Sequence, residues 1–146
     1  YAAKAQRISA LTKDISEVIA AEAARLQPLL TAENPSAATK LALQLPCSLQ
    51  HGQQVNGVIE GILLAAGFEL TPVADSHLCC GSAGTYSILQ PELAARLKVN
   101  KLAALHAGSP QAIVSANLGC MSHLQSGTAL PLEHWIVALE RRLAGA

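Results

Sequence analysis

Short apolar segments alternate with longer amphipathic segments along most of this chain, and this alternation constrains the fold more than any other feature. Four segments have the length and composition of strands, at residues 40–45, 68–73, 112–116 and 128–132. Helical patterns lie between and after them, at residues 55–66, 91–106, just after 120, and 133–143. Such an alternation typically builds a parallel sheet with right-handed crossovers and helices on both faces. The sequence therefore predicts an α/β fold of three layers with a four-stranded, mainly parallel sheet, similar to half of a Rossmann or flavodoxin-like domain.

The cysteines occupy equivalent places in this pattern. Cys47 follows the first strand, the adjacent pair Cys79 and Cys80 follows the second, and Cys120 follows the third. If the second and third strands lie on opposite sides of the first, a switch point opens between strands one and three. Ligands of such sheets bind outside the carboxyl ends of the strands at that point. The topology thus predicts that all four thiols meet at one edge of the sheet.

The N-terminal region has a different character. Residues 1–30 carry apolar side chains at helical spacing and predict one long helix, which Pro28 should end or kink. A polar connector follows at residues 31–39. The predicted organisation is an N-terminal helix with its connector at 1–39 and a cysteine-rich α/β domain at 40–146.

Composition excludes several classes of function. Hydrophobic residues make up 51% and charged residues 14% of the 146 positions, which favours a packed core that needs no disulfides. Lys+Arg and Asp+Glu are equal at 10 each, so no charge excess suggests nucleic acid or an anionic membrane surface. No apolar run reaches the ~20 residues of a membrane span. We expect a cytoplasmic location, or a peripheral one at the inner membrane through a complex. The first residue is Tyr1 rather than Met, which suggests a fragment whose N-terminal portion is missing.

The thiols predict a site for a soft metal. Thiolates select iron–sulfur clusters, zinc or copper(I). Adjacent cysteines in a regular strand point to opposite faces, so Cys79 and Cys80 can share one centre only in an irregular loop. Gly81 and Gly84 allow such a loop and let backbone N–H groups approach the sulfurs. Gly119, just before Cys120, completes the candidate cofactor-binding glycines.

Cys120 lies near the predicted N-terminus of a helix, which should lower its pKa and favour the thiolate. With His123 it also forms a Cys-x-x-His pair that suits zinc. The adjacent cysteines disfavour zinc, because zinc sites usually separate their cysteines by two residues or more. The alternatives that stay open are a structural zinc domain and a cluster-free docking module in which the cysteines are small buried hydrophobes.

Three motifs resemble a known family. Cys47, Cys79-Cys80-Gly81 and Cys120 follow the pattern of the cysteine-rich CCG domain of heterodisulfide reductase and related iron–sulfur oxidoreductase subunits. Within that family, three segments are similar to the iron–sulfur subunits of bacterial glycolate oxidases. These segments are PCSLQHG (46–52), HLCCGSAGTYSILQPELA (77–94) and VSANLGCMSHLQSGT (114–128), together with His134-Trp135-Ile136.

The resemblance implies an electron-transfer subunit that passes electrons from a flavin, reduced by glycolate, toward the quinone pool. It also implies as partners the flavin-containing subunits and the remainder of the same iron–sulfur subunit. Such subunits have two ferredoxin-type clusters and two CCG domains, of which this chain resembles the second. The implied metal ligands are Cys47, Cys79, Cys80 and Cys120, and the implied cofactor is a [4Fe–4S] or noncubane cluster. His123 stands where the wider family has a further cysteine, so it is a candidate ligand too.

Overall fold

A computed structural model of the chain describes residues 1–31 and 38–143. Its centre is a four-stranded sheet in the order β2-β1-β3-β4, and every neighbouring pair is parallel. The strands are β1 (Lys40–Gln44), β2 (Glu69–Leu70), β3 (Ala112–Ser115) and β4 (Leu132–His134). Because β1 has β2 on one side and β3 on the other, the predicted switch point between the first and third strands is confirmed.

Helices connect the strands and cover both faces of the sheet. In chain order they are α1 (Ala2–Leu11), α2 (Ile15–Ala21), α3 (Ala23–Thr31), α4 (Val58–Ala65), α5 (Tyr86–Leu89), α6 (Pro91–His106), α7 (Leu118–Gln125) and α8 (Trp135–Leu143). The sixth begins at Pro91, as the sequence predicts, because proline suits the first turn of a helix. The fold class is confirmed.

The side chains of the strands divide into two cores, as the period-two geometry of a strand requires. Leu41 and Leu43 of β1 pack with α4 and α8 on one face. Ala42 and Ile113, on the other face, pack with residues of α6 and α7. Cys80 belongs to this second core and is only 2% exposed. The loop that carries the paired cysteines is therefore anchored in the packed interior.

Two strands differ from the predicted bounds. β2 pairs through only two residues and lies at the edge of the sheet. The N–H groups of Glu69 and Thr71 donate toward β1, so Pro72 occupies a position where an edge strand needs no donor. β4 begins later than predicted, at Leu132. The Gln125 side chain donates to the carbonyl oxygens of Thr128 and Leu130, which holds this stretch in a turn.

The prediction of one long N-terminal helix is wrong, because the region forms three helices. The second break lies at Glu22, between α2 and α3. The first lies at Asp14, whose side chain accepts a hydrogen bond from Ser16 N at 2.9 Å. Glu17 returns the bond by accepting from Asp14 N at 2.8 Å, which completes a capping box. Pro28 does not end a helix, since α3 continues past it to Thr31, and the alternative that it kinks the helix stays a prediction. Most of the predicted connector, residues 32–37, lies outside the described residues.

The three N-terminal helices differ in how much they pack against the core beside the sheet. Every residue of α1 is exposed, whereas Ile19 of α2 and Leu30 of α3 pack against the first core. The second and third helices therefore contribute to the same hydrophobic interior as residues 40–143. The division of the chain at residue 39 stays a prediction.

Candidate metal centre

The candidate site lies where β1 and β3 end side by side. Gln44 and Ser115 are the paired last residues of these strands, and both side chains are buried. Cys47 follows three residues beyond Gln44, and Cys120 follows five residues beyond Ser115. Parallel strands bring these two connections to the same edge of the sheet.

All four cysteines line one cavity of about 440 Å³ at this edge. The other lining residues come from the same three connections: Pro46, Ser48, Ser82, Ala83, Gly84, Asn117 and Gly119. The prediction that the topology collects the thiols at one place agrees with this cavity. Each cysteine is free, and none forms a disulfide.

Cys47 is positioned by the short segment that follows β1. Pro46 is fully buried, and after Cys47 the chain makes a π-helical turn, Ser48–Gln53, that the sequence does not predict. Buried Leu49 anchors this turn in the core. Gln50 ties it to the next connection, because its side-chain amide donates to Leu45 O at 2.6 Å and to Ser76 O at 3.0 Å.

The loop of Cys79 and Cys80 is irregular, as two adjacent thiols facing one cavity require. Gly81, Ala83 and Gly84 all have positive φ, at 94°, 37° and 61°. The backbone N–H of Gly81 donates to Cys79 Sγ at 3.3 Å, so the glycine brings a backbone donor to a sulfur. A Cβ at Gly81 would lie 2.4 Å from Ala94 O, which leaves room for glycine alone.

Cys120 lies in the first turn of α7. Asn117 caps this helix, with its side-chain oxygen accepting from Cys120 N at 3.0 Å. Asn117 in turn donates its backbone N–H to Ser115 Oγ at 3.3 Å, which links the cap to the end of β3. The backbone thus fixes the Cys120 thiol relative to the switch point.

The thiols of Cys80 and Cys120 share one proton unequally. The pKa of Cys80 is lowered to about 6, chiefly because Cys120 donates a hydrogen bond to its sulfur. Burial acts in the opposite direction, and a hydrogen bond from the Ser82 backbone lowers the pKa further. The pKa of Cys120 is raised, because its proton is held in the bond to Cys80 and because burial disfavours the thiolate. The predicted low pKa of Cys120 is therefore wrong, and the low pKa belongs to Cys80 instead.

Negative charge on neighbouring thiols also opposes the ionisation of Cys47 and Cys120 and raises their pKa values. Burial raises the pKa of Cys47, and the nearby charges of Cys79 and Cys80 raise it further. A set of thiols that resists multiple negative charges is stabilised by cations in its midst, because metal ligands must be deprotonated. The donor set, the shared cavity and the backbone donors fit an iron–sulfur cluster.

The thiols lie next to one another in the cavity, since Cys80 is hydrogen-bonded to Cys120 and Cys47 to Cys79. In residues 1–31 and 38–143, no three His, Cys, Asp or Glu side chains converge tightly enough to hold one metal ion. A zinc ion would draw its sulfurs to about 2.3 Å from one point. In an iron–sulfur cluster several cysteines each bind a separate iron, so neighbouring thiols around one cavity can also serve as cluster ligands.

The other candidate residues take different places around the cavity. Gly84 and Gly119 line it, whereas Gly81 is not among the described lining residues and lies against Ala94 O of α6. The half-buried ring of His123 lies against the same part of α6. Its Nε2 is 3.4 Å from Ala94 O and would be 3.1 Å from a Cβ at Gly81. His123 is not among the described residues that line the cavity. Its role as a ligand stays a prediction, and its contacts favour packing.

Sequence reasoning missed Lys101 of α6. Its side chain is buried and its Nζ donates to Ser76 O at 2.7 Å, in the connection that leads to Cys79. The signal was present: Lys101 shares the inward face of α6 with Ala94 and Leu105, where an apolar residue is expected.

Fold and site together define an α/β domain with a thiol-lined cavity at the switch point of a parallel sheet. The model of the cysteine-rich domain family called CCG matches residues 41–125, which include all four cysteines. The chain belongs to this family.

Several curated proteins are similar to the chain. The glycolate oxidase iron-sulfur subunit of Escherichia coli (strain K12) is 46% identical over 143 residues, which are 98% of this chain and 34% of that protein. The probable glycolate oxidase iron-sulfur subunit of Bacillus subtilis (strain 168) is 36% identical over 61 residues, 42% of this chain and 14% of the relative. Lactate utilization protein A of Shouchella clausii (strain KSM-K16) is 26% identical over 73 residues, 47% of this chain and 30% of the relative.

The chain spans about a third of the length of the Escherichia coli relative. Within the part that the structure describes, no helix is long and apolar enough to cross a membrane.

Proposed function

We propose that the chain holds an iron–sulfur cluster, of the [4Fe–4S] or noncubane type, with Cys47, Cys79, Cys80 and Cys120 as ligands. The observation that carries this proposal is the single cavity that these four cysteines line at the switch point. When bound, such a cluster supplies one-electron redox chemistry.

The protein's own residues prepare the site for this task. The backbone N–H groups of Gly81 and Ser82 donate to the sulfurs of Cys79 and Cys80. Hydrogen bonds to cluster sulfurs tune the reduction potential, and a rigid donor need not reorganise when the charge changes. Burial of Cys80 in the second core excludes water from that side of the cavity.

We further propose that the chain acts as a cysteine-rich domain of an iron–sulfur electron-transfer subunit of a glycolate oxidase. The 46% identity to a protein named for that role supports this assignment. Its partners would be the remainder of such a subunit and flavin-containing subunits that oxidise glycolate to glyoxylate.

The test is to purify the chain without oxygen and to assay iron, acid-labile sulfide and visible absorption. We expect stoichiometric iron and sulfide, and a colour that dithionite bleaches and an oxidant restores. Changing Cys79 or Cys80 to serine should remove the colour. Ser122→Ala, which alters an exposed residue of α7, is the control and should keep it.

Two results would overturn the proposal. Colourless protein with bound zinc would assign the thiols a structural role. Colourless protein without metal, in the presence of iron and sulfide, would favour a cluster-free docking domain. For the assignment to glycolate oxidase, the bound centre should bleach on addition of glycolate when the flavin-containing subunits are present, and not with lactate.

A further inference from the structure

Lys101 is a buried cation next to the thiol-lined cavity. Only 2% of the residue is exposed, and its ammonium donates to Ser76 O at 2.7 Å. Among the described residues it forms no ion pair with a carboxylate. The charged groups whose influence reaches it are the four cysteines. Lys101 therefore lies within electrostatic reach of all four thiols.

A lone buried ammonium is costly, because it loses most of its hydration. Burial lowers the pKa of Lys101, and each of the cysteines acts in the opposite direction. The cost of the buried charge is offset only when the neighbouring sulfurs carry negative charge, as they do when they bind metal. The lysine and the ligand set are therefore electrostatically complementary.

We infer that Lys101 is a positioning residue that raises the reduction potential of the centre held by the four cysteines, by placing a fixed positive charge beside it. This inference rests on the proposed function. Reduction adds one negative charge to the centre, and a nearby cation stabilises the more negative state. Removal of the charge should therefore make reduction harder and lower the potential.

The structure allows this effect to be separated from a purely mechanical one. Ser76 O also accepts a hydrogen bond from the Gln50 side chain at 3.0 Å. The connection that precedes Cys79 therefore keeps one tether when Lys101 is replaced. Lys101→Met keeps a straight side chain of similar length in the buried space and removes the charge together with the hydrogen bond to Ser76 O.

Lys98, one turn earlier on the same helix, provides a matched control. It is half-buried, and its ammonium donates to Ser126 Oγ at 2.8 Å, away from the cavity lining. Lys98→Met removes the same charge from the same helix at a place that faces α7 rather than the cysteines.

The experiment compares the full chain with Lys101→Met, Lys101→Arg and Lys98→Met after anaerobic reconstitution with iron and sulfide. The midpoint potential is measured by a redox titration followed by electron paramagnetic resonance, and the melting temperature is measured in parallel. At the wild-type midpoint, we expect the ratio of reduced to oxidised centre to fall about tenfold in Lys101→Met, which is the order of effect of one neighbouring unit charge inside a protein. Lys101→Arg should stay close to wild type, and so should Lys98→Met.

A Lys101→Met protein with full iron content and an unchanged midpoint would overturn the inference, whatever its melting temperature, and leave the proposed function standing. An equal shift in Lys98→Met would also overturn it, because the effect would then be general. Wild-type chain that takes up no iron and sulfide would overturn both proposals. If Lys101→Met does not fold, Lys101→Gln measures the same loss of charge.

Discussion

Gln44 and Ser115 join the ends of β1 and β3 through a buried hydrogen bond, in which Ser115 Oγ donates to Gln44 Oε1. The two residues are 1% and 0% exposed. Ser115 Oγ also accepts the backbone N–H of Asn117, the cap of α7. One polar pair thus connects both central strands to the helix that carries Cys120. The pair therefore lies directly beneath the connections that carry Cys47 and Cys120.

This pair predicts a stability cost for Ser115→Ala. Removal of the hydroxyl leaves the buried Gln44 oxygen without that donor, which costs about 1–3 kcal/mol of the free energy of unfolding. Urea denaturation of the metal-free protein measures the change. Ser122→Ala, at an exposed position of α7, should change it by less than about 0.5 kcal/mol. Equal values for the two variants would show that the pair is energetically unimportant.

Gly81 and Gly84 offer a second comparison, because both have positive φ but only one is crowded. A Cβ at Gly81 would meet Ala94 O at 2.4 Å, whereas a Cβ at Gly84 meets nothing within 4 Å. Gly84→Ala should therefore cost only the backbone strain, about 1–2 kcal/mol. Gly81→Ala should cost clearly more and displace the donor to Cys79. Thermal unfolding and iron content check this, and similar losses in both variants would contradict it.

The sheet and the convergence of the cysteines could be predicted because both depend on regular patterns. Strands alternating with helices favour a parallel sheet, and a parallel sheet brings its carboxyl ends to one edge. The pattern therefore located Cys47 and Cys120 at a common site without any knowledge of distances. Pro72 likewise favours an edge position or an early end for the second strand.

Other features depend on contacts between distant residues and could not be predicted from periodicity. The unequal proton sharing of Cys80 and Cys120 needs their actual proximity, so a rule about helix N-termini assigned the low pKa to the wrong thiol. The π-helical turn after Cys47 has no spacing signature of its own. The break of the N-terminal helix did have a signal, since Asp14 and Glu17 form a capping-box pattern that the continuous apolar stripe obscured.

His123 can be tested as a ligand against His106, which also lies in the last turn of a helix. The His123 ring contacts Ala94 O behind the cysteine loop, whereas His106 contacts Thr128 Oγ1 at 2.9 Å. We expect His123→Gln to lower the melting temperature but to leave iron and sulfide per chain unchanged. His106→Gln should change neither quantity appreciably. Loss of iron in His123→Gln alone would make His123 a ligand.

Two isoleucines test whether the N-terminal helices belong to the same folding unit as the sheet. Ile8 of α1 is 65% exposed, whereas half-buried Ile19 of α2 packs against the first core. Ile19→Ala should cost about 1–2 kcal/mol of unfolding free energy, in proportion to the apolar area lost. Ile8→Ala should have almost no effect. If neither change affects the main unfolding transition, the boundary at residue 39 separates independent units.

The low pKa of Cys80 predicts how the stability of the metal-free protein depends on pH. Between about pH 6 and pH 9, the folded chain has released the Cys80 proton while the unfolded chain still holds it. The unfolded state then binds more protons, so stability should rise with pH over this interval. Above pH 9, Cys120 opposes the trend, because its raised pKa makes the folded chain retain a proton that the unfolded chain loses. Thermal melts in chelator and reductant, compared with Cys80→Ser, isolate the effect, because the two proteins differ in this one side chain. The difference in melting temperature between the two proteins should grow from pH 6 to pH 8. A constant difference would mean that Cys80 keeps its proton in the folded chain.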